Sequence, residues 1–215
     1  MKNYISIEKI RNEIDFDIDG IVYKINDFRI QKRLGNVANA PRWAIAHKFS
    51  ANKGVSKILD IDIQVGRTGA LTPVAKIKPI NIGGVVVSNA TLHNEDEIER
   101  KDIRINDFAI IERAGDVIPH IISVDKDKRE KSSKKFNFPI KCPSCGSNTV
   151  KEFNNLTKKE DSVRRCSSEG FECEKVSIEK LKHFVSKEAF NIDGLGKKIV
   201  ENFWALKLIR LPQDI

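Results

Sequence analysis

Residues 57–80 constrain the fold more than any other stretch, because they have the pattern of two adjacent strands separated by a glycine turn. In KILDIDIQVGRTGALTPVAKIKPI, β-branched residues alternate partly with polar ones as far as Val65, which is typical of a half-buried strand. Residues 66–69 (Gly-Arg-Thr-Gly) break the alternation with two turn residues, and the apolar pattern resumes less regularly around Val74. A lone hairpin buries little surface, so this pair needs further strands to form a core.

The sequence that follows supplies those strands. The alternation predicts strands over 58–65, 72–80, 82–88, 105–113 and 117–124. Between the third and the fourth, residues 90–102 predict a short helix, because acidic residues follow Asn94 where the first helical turn would begin. Three strands, a helix and two strands is the order of an OB barrel, a fold often used to bind nucleic acid, although small barrels of other kinds share this order. We therefore expect an OB-fold domain over 55–124.

Composition narrows the class of protein. A chain of 215 residues has room for several small modules. Its net charge of +8 and pI of about 9.3 favour an anionic partner such as nucleic acid, although charge alone is weak evidence. No apolar run approaches the ~20 residues that span a bilayer, and the first residues lack the apolar core of a signal peptide. These features predict a cytoplasmic protein with no membrane partner.

The four cysteines are confined to one short segment of the chain. In a cytoplasmic protein such a group is read as metal ligands more readily than as disulfides. Four thiolates suit tetrahedral Zn²⁺, and a closed four-thiolate shell leaves no position for a reacting water, so the site should be structural. The sequence predicts a four-cysteine zinc finger over 140–175, although six residues separate the second pair, more than in a usual knuckle. The proposed ligands are Cys142, Cys145, Cys166 and Cys173.

The N-terminal residues predict a helix followed by two strands. Residues 5–13 can form a short helix, the alternation in 14–25 predicts a strand with a bulge at Gly20, and 42–49 predicts another. In the second strand Trp43 is expected to be a core aromatic, and Lys48 lies on the opposite face beside two alanines. Pattern alone favours a solvated surface role for Lys24, yet two strand lysines could also clamp a phosphate.

The C-terminal third predicts a linker and two helices. Residues 125–135 are a charged, solvated stretch within a linker over 125–139. Helices are expected over 177–185, capped by Ser177, and over 197–206, and a glycine-containing turn lies between them. This order predicts part of a helix-hairpin-helix domain over 176–215, whose amides can bind one DNA phosphate without reading sequence, although the glycines could form a simple turn. The candidate DNA contacts here are Gly194, Gly196 and Lys197.

Several strings in the chain are similar to one enzyme family. Residues 19–24 (DGIVYK) resemble motif IV, and residues 40–49 (APRWAIAHKF) motif V, of the nucleotidyltransferase domain in bacterial NAD-dependent DNA ligases. The resemblance covers nearly the whole chain, and strings of this length at this spacing are highly specific. It continues through residues 64–75, 88–94, 113–119 and 192–196.

The resemblance implies an α+β multidomain chain and assigns roles to several residues. Residues 1–54 would be the end of a nucleotidyltransferase (adenylation) sheet, followed by the OB barrel, the zinc finger and the start of a helix-hairpin-helix domain. By carry-over, Lys24 and Lys48 contact the adenylate, and Asp19 contacts a metal or the substrate. In the glycine turn, pattern alone leaves Arg67 even between a phosphate contact and solvent, and the resemblance favours DNA for Arg67 and Thr68.

The resemblance also implies an activity, namely sealing of nicks in duplex DNA through lysine–AMP and DNA–adenylate intermediates, with NAD⁺ and Mg²⁺ or Mn²⁺. The family's nucleophilic lysine belongs to a Lys-x-Asp-Gly motif, which this chain lacks. We therefore expect a ligase fragment that contributes AMP contacts and DNA binding and is inactive alone. The alternatives are a non-catalytic DNA-binding module and a split enzyme completed by a separate polypeptide with the N-terminal half.

Overall fold

A computed structural model describes residues 2–11, 13–16, 18–38, 40–113, 118–155 and 158–215. Its helices are α1 (Lys2–Ile10), α2 (Phe28–Leu34), α3 (Glu95–Lys101), α4 (Glu174–Phe184) and α5 (Lys197–Ala205), with a final 3-10 helix at Pro212–Asp214. Its strands are β1 (Gly20–Lys24), β2 (Asn36–Val37), β3 (Ala40–Pro41), β4 (Ala44–Lys48), β5 (Asn52–Val65), β6 (Leu71–Ile82), β7 (Val85–Thr91), β8 (Arg104–Ile105), β9 (Phe108–Arg113), β10 (His120–Val124), β11 (Lys134–Lys135), β12 (Thr149–Asn154) and β13 (Lys159–Cys166).

The N-terminal segment, residues 2–51, holds a two-stranded antiparallel ladder of β1 and β4. The strand predicted over 14–25 is only partly right, because β1 begins at Gly20 and the described residues 14–16 and 18 lie outside any strand. Asp17 falls outside the described residues. A strand extends only as far as its partner, and β4 pairs only with residues 20–24. Trp43 is half-buried just before β4 and belongs to no buried core, contrary to expectation.

The barrel, residues 52–124, confirms the predicted OB-fold. Five strands close in the order β10-β7-β6-β5-β9, with α3 between β7 and β8, as the sequence order indicated. Strand β5 is long enough to serve two neighbours, because residues 58–65 pair with β6 and residues 52–57 pair with β9. A parallel contact between His120 and Thr91 completes the closure. The predicted final strand begins at Val117, which falls outside the described residues.

The barrel core consists of alternate apolar residues from every long strand. Helix α3 seals one end with Ile98, and its N-cap Asn94 accepts a hydrogen bond from the amide of Glu97 at 2.9 Å. Because one face of each strand is buried in this way, the register of the sheet is strongly specified. The buried residues are Ile58, Ile61, Ala75, Ile77, Ile82, Val87, Ala90, Leu92, Ile98, Ile103, Ala109, Ile111 and Ile121.

The strap, residues 125–135, is not the solvated linker that its charges predicted. The guanidinium of Arg129 donates to both carboxylate oxygens of Asp107, at 3.0 and 2.7 Å, and also bonds Asp102. Asp107 is fully buried, and a buried carboxylate requires a charged or hydrogen-bonded partner. Strand β11 then pairs with β8 on the barrel. The strap is therefore fixed to the barrel by a buried ion pair and a short ladder.

The C-terminal part consists of the β12–β13 hairpin and two packed helices. Helix α4 begins after Cys173, so the predicted cap Ser177 is wrong: it lies inside the helix, fully buried, and its hydroxyl donates to the carbonyl of Cys173 at 2.9 Å. The N-cap is instead Cys173, which has an extended backbone conformation. The two helices share a buried cluster of Ile178, Leu181, Val185, Val200, Trp204 and Ile209.

Candidate functional site

The β1–β4 ladder brings Lys24 and Lys48 onto one face. Residues opposite each other in an antiparallel pair point to the same side; Lys24 lies opposite Ala44, and Lys48 lies opposite Gly20. Alternation along β4 adds Ala46 to this face. Both lysines are exposed, and four strand positions separate them, roughly 13 Å along the ladder. The result is an open face with a lysine near each end and the Val22–Ala46 pair between them, while Ala44 lies opposite Lys24.

Gly20 permits this arrangement by its lack of a side chain. A Cβ at this position would lie 2.6 Å from the carbonyl oxygen of His47 and 2.8 Å from the Cα of Lys48, closer than van der Waals contact allows. The ladder is regular from Gly20 onward, so the predicted bulge is wrong. The glycine instead lets β4 approach β1 closely beside Lys48.

Asp19 forms an ion pair with Lys48. The ammonium Nζ lies 2.5 Å from the carboxylate Oδ2, and both side chains are more than half exposed. The hydrogen bond from Lys48 is the main cause that lowers the pKa of Asp19 below its usual value. Asp19 therefore stays ionised at neutral pH and orients the lysine beside it.

Helix α1 contacts the His47 end of the opposite face of the ladder and leaves Ile45 on that face exposed. The ring of Tyr4 stacks on that of His47 with centroids 4.0 Å apart, and its hydroxyl donates to the carbonyl of Lys48 at 3.0 Å. These contacts fix the backbone of β4 from behind. The face that carries Lys24 and Lys48 is consequently left open on the other side.

The four cysteines converge on one point, as the sequence predicted. All four Sγ atoms lie within 4.8 Å of one another. The Cys142–Cys173 pair is 3.9 Å apart and the Cys145–Cys166 pair 3.4 Å. A tetrahedron with Zn–S bonds near ~2.3 Å has sulfur–sulfur edges of roughly 3.8 Å, so the cluster fits one zinc ion.

The protein environment of this metal site differs from one thiol to the next. Burial raises the pKa of Cys142 to about 12. At Cys145 burial also opposes ionisation, but hydrogen bonds with Ser147 outweigh it and lower the pKa to about 6. Because cysteine binds zinc as the thiolate, loading the site releases protons. Acid therefore opposes metal binding.

The hairpin tip, residues 65–71, connects the barrel to the metal site. Val65 and Leu71 lie in the same buried cluster as Cys142, Cys166 and Cys173. Within the turn, the amide of Gly66 donates to the carbonyl of Ala70 at 2.9 Å. The two predicted DNA contacts here, Arg67 and Thr68, are both exposed. The Thr68 hydroxyl accepts a hydrogen bond from Arg165 of the finger at 3.1 Å, a partner that sequence reasoning did not anticipate.

The remaining predicted DNA contacts lie between α4 and α5. Gly194 has φ +79°, the left-handed region that favours glycine, and Gly196 is the N-cap of α5, directly before Lys197. Arg67 from the barrel and Lys197 from α5 line one cavity of about 210 Å³. The structure thus brings together two predicted contacts from separate modules. The other lining residues are Glu179, Lys182, His183, Ser186 and Glu188.

Two cations of the finger join it to the barrel. Arg164 bonds the carboxylate of Glu95 on α3 at 3.0 Å, and Lys151 lies 2.7 Å from Asp96 and 3.1 Å from Glu95. All but Asp96 are largely buried. Their acidic partners lie 55 to 69 residues earlier along the chain, so local sequence pattern does not indicate these pairs.

Within the described ranges, no helix is long and apolar enough to cross a membrane.

Comparison with known proteins places two domains along the chain. Residues 1–52 match the family model for the NAD-dependent DNA ligase adenylation domain, and residues 55–133 match that for the NAD-dependent DNA ligase OB-fold domain. Together these matches cover more than half of the chain.

Among its relatives, a DNA ligase of Pelagibacter ubique is 73% identical over 215 residues, which are 100% of this chain and 32% of the relative. A DNA ligase of Beijerinckia indica is 56% identical over 213 residues, 99% of this chain and 30% of the relative. One of Xanthobacter autotrophicus is 54% identical over 213 residues, 99% of this chain and 29% of the relative.

The chain spans about a third of the length of these curated relatives. The two matched domains follow each other in the chain, and the second coincides with the closed barrel. With the barrel, the four-cysteine site and the similarity along its whole length, the chain belongs to the family of NAD-dependent DNA ligases.

Proposed function

We propose that this chain supplies adenylate contacts and a DNA-binding surface to a ligase that uses NAD⁺ to seal nicks in duplex DNA. The observation that supports it most directly is the shared open face of Lys24 and Lys48, on which Val22 and Ala46 lie between the two lysines. The relatives bear the name DNA ligase, which agrees with this role. The module boundaries at 54, 124, 139 and 175 stay predictions.

Lys24 and Lys48 would bind phosphate oxygens of the adenylate. An ammonium group is a compact charge that stabilises the negative charge developing on a phosphoryl group during transfer. Asp19 would hold Lys48 in place through their ion pair and could also face a divalent cation such as Mg²⁺ or Mn²⁺. Such a cation supplies charge neutralisation at the phosphates when it is bound.

The DNA contacts would come from two modules. Arg67 is exposed at the hairpin tip, and Lys197 begins α5 after the amides around Gly194 and Gly196. Backbone amides and cations of this kind bind phosphates without reading base sequence. Zn²⁺ held by the four thiolates would crosslink the finger and take no part in the chemistry, because four protein ligands leave no open position.

A chimera would test the adenylate role. This 215-residue chain would replace the matching third of the Pelagibacter ubique ligase, and nick sealing would be followed on a labelled duplex. We expect the chimera to seal nicks and the Lys24→Ala and Lys48→Ala variants each to lose about a hundredfold in rate or more, since one charged contact to a reacting phosphate is worth about 3 kcal/mol.

Lys32→Ala on α2 is the matched control, because Lys32 is an exposed lysine away from the ladder. It should leave sealing unchanged. Near-normal sealing by both ladder variants would mean that the adenylate contacts lie elsewhere.

A non-catalytic DNA-binding role is the second candidate, because the barrel, the four-cysteine site and the pair of packed helices would serve it equally well. Adenylation needs an amine in line with the α-phosphate, and neither ladder lysine lies in the nucleophile's motif. We expect intact-mass spectrometry to find no AMP adduct after the chain alone is mixed with NAD⁺ and Mg²⁺. An adduct on any of its lysines would contradict this division of roles.

DNA binding has its own test. Affinity for a nicked duplex should fall steeply with salt, because bound Lys and Arg side chains release condensed counterions. Arg67→Ala should weaken binding to all sequences alike. An affinity independent of salt, or strongly dependent on base sequence, would exclude the proposed backbone-directed mode.

A further inference from the structure

The hairpin tip and the metal site share one buried core. Val65 is 8% exposed and Leu71 is 1% exposed, and both pack in the cluster that contains Cys142, Cys166 and Cys173. The finger therefore does not complete its own core, since two of the residues that enclose its thiols come from the barrel. The same buried side chains therefore take part both in enclosing the metal site and in packing the hairpin tip.

The backbones of the two regions are joined directly. The amide of Cys166, a metal ligand, donates to the carbonyl of Gly69 at 2.9 Å, and Ala70 and Arg165 form an antiparallel bridge. Gly69 has φ +78°, and a Cβ added there would lie 3.2 Å from the carbonyl oxygen of Cys166. This glycine is needed both for its backbone conformation and for its close approach to the ligand.

A side-chain contact reinforces the junction. Arg165 precedes the ligand Cys166 in sequence, and its guanidinium donates to the Thr68 hydroxyl at 3.1 Å and to Asp161 at 3.2 Å. The donor lies on the finger and the acceptor on the barrel turn. The turn is thus held at Thr68 by a side chain and at Gly69 by the backbone. These two residues lie between Arg67 and Leu71 in the sequence.

We propose that the hairpin tip and the four-cysteine site form one cooperative unit, in which bound zinc positions the turn that carries Arg67 and the docked turn in turn retains the zinc. Thr68, Gly69 and Arg165 are its positioning residues. The reciprocity follows from linkage: if zinc favours the docked turn, the docked turn favours zinc by the same factor. Only the consequence for DNA binding through Arg67 rests on the proposed function.

Zinc release from the loaded 215-residue protein into excess chelator tests the coupling. Thr68→Val removes the hydroxyl that accepts the hydrogen bond from Arg165. Thr68 is exposed, is not one of the proposed zinc ligands and lies 97 residues before Arg165 in the sequence. We expect release to be about threefold to tenfold faster, the range for loss of one hydrogen bond of moderate strength. Thr72→Val is the control, because Thr72 lies on the same hairpin and its side chain makes no hydrogen bond to the described part of the chain.

Substitutions at two glycines distinguish the effect of losing the docking contact from the effect of backbone strain. Gly69→Ala and Gly84→Ala both place a side chain at positive φ, at +78° and +85°, but a Cβ on Gly84 meets no described atom within 4 Å. Only the first substitution presses on Cys166. We expect Gly69→Ala to release zinc faster than Gly84→Ala, whose rate should equal that of the unsubstituted chain.

The two readouts keep the conclusions separate. Release rates of Thr68→Val and Gly69→Ala equal to those of their controls would overturn the cooperative unit. If these variants release zinc faster while Arg67→Ala binds nicked duplex normally, the unit stands and the DNA contact of the proposed function fails. Faster release together with weaker DNA binding by Gly69→Ala is the result expected if both hold, because Gly69, unlike Thr68, is not itself a predicted DNA contact.

Discussion

The N-terminal segment and the barrel are built from similar alternating β sequences, yet only the barrel has a core. Among the described residues from 3 to 48 none is buried, whereas thirteen barrel residues form one buried cluster. Each long barrel strand has a neighbour on both sides, while in the described part of residues 2–51 β1 pairs with β4 alone. Two strands cannot enclose a face, and Val22 and Ile45 accordingly remain 55% and 69% exposed.

The difference separates two roles of a β strand. In the barrel the strands produce stability, because closure removes one face from water. In the N-terminal segment the ladder presents a face with two lysines, and none of its described residues from 20 to 48 is buried. We therefore expect substitutions in the barrel, the strap and the finger to change the free energy of unfolding, and those on the ladder to change ligand binding.

Removal of the metal should have the largest effect. Structural zinc contributes about 10–16 kcal/mol of apparent binding free energy in zinc-finger peptides, and that energy is folding energy. Elemental analysis should find one zinc per chain. After chelation we expect the NMR signals of residues 140–175 and of the hairpin tip to collapse, while those of the rest of the barrel remain. An unchanged spectrum in metal-free protein would show that the finger, like the barrel, folds on its own.

Arg129→Ala should destabilise the protein by about 3–5 kcal/mol, because it leaves the fully buried Asp107 without its cation. The unfolding free energy from urea titration would measure this. Lys128→Ala is the control, since its ion pair with Asp125 involves a lysine side chain that is 66% exposed, and such pairs are worth about 0–1 kcal/mol. Equal unfolding free energies for the two variants would mean that the strap is a solvated linker.

Ile111→Ala and Ile45→Ala compare the two regions directly. Ile111 is fully buried in the barrel, so its truncation should cost about 2–5 kcal/mol through lost burial and a cavity. Ile45, exposed on the ladder, should change stability by no more than about 0.5 kcal/mol. Both values would come from the same urea titrations. A large cost for Ile45→Ala would mean that the ladder is covered in solution.

The smallest effect concerns acid. Hydrogen bonds from Arg129 and then Arg104 lower the pKa of Asp102 to about 2, whereas an unfolded aspartate titrates near ~3.9. A lowered folded pKa stabilises the protein above pH ~4, and this contribution is lost as pH falls toward ~2. Unfolding free energies measured over that window should therefore decline less steeply for Asp102→Asn. An unchanged slope would locate the acid sensitivity elsewhere, with Glu97 the next carboxyl whose pKa is about 2.

Sequence reasoning succeeded where local pattern decides the structure. The alternation from Ile58 to Val65 requires one buried face, and the order of strands and helix then indicates a barrel. The four cysteines likewise predict their own cluster, because four thiols in one short segment are typical of a metal site. The alternation from Ile14 to Ile18 misled, since that pattern describes a possible face but says nothing about whether a partner strand exists.

The residues that sequence reasoning missed act through distant partners. Nothing local distinguishes Arg129 from its charged neighbours, because its role depends on Asp107 being buried by the barrel. Likewise, nothing in the sequence around Arg165 indicates a partner as distant as Thr68, 97 residues away. The sequence indicated only part of the open lysine face. Alternation on β4 placed Lys48 beside alanines, but the pairing register is needed to show that Lys24 lies on the same side.

The junction of the hairpin tip with the finger also has a consequence for biosynthesis. During translation β5 can pair with β6 at once, but its other neighbour, β9, and the anchor Cys166 leave the ribosome much later. Long-range pairings of this kind form slowly and leave apolar surface uncovered meanwhile. The side chains of Val65 and Leu71 stay uncovered longest. We therefore expect the nascent chain to be most prone to aggregation, and most dependent on chaperones, between the synthesis of residues 71 and 166.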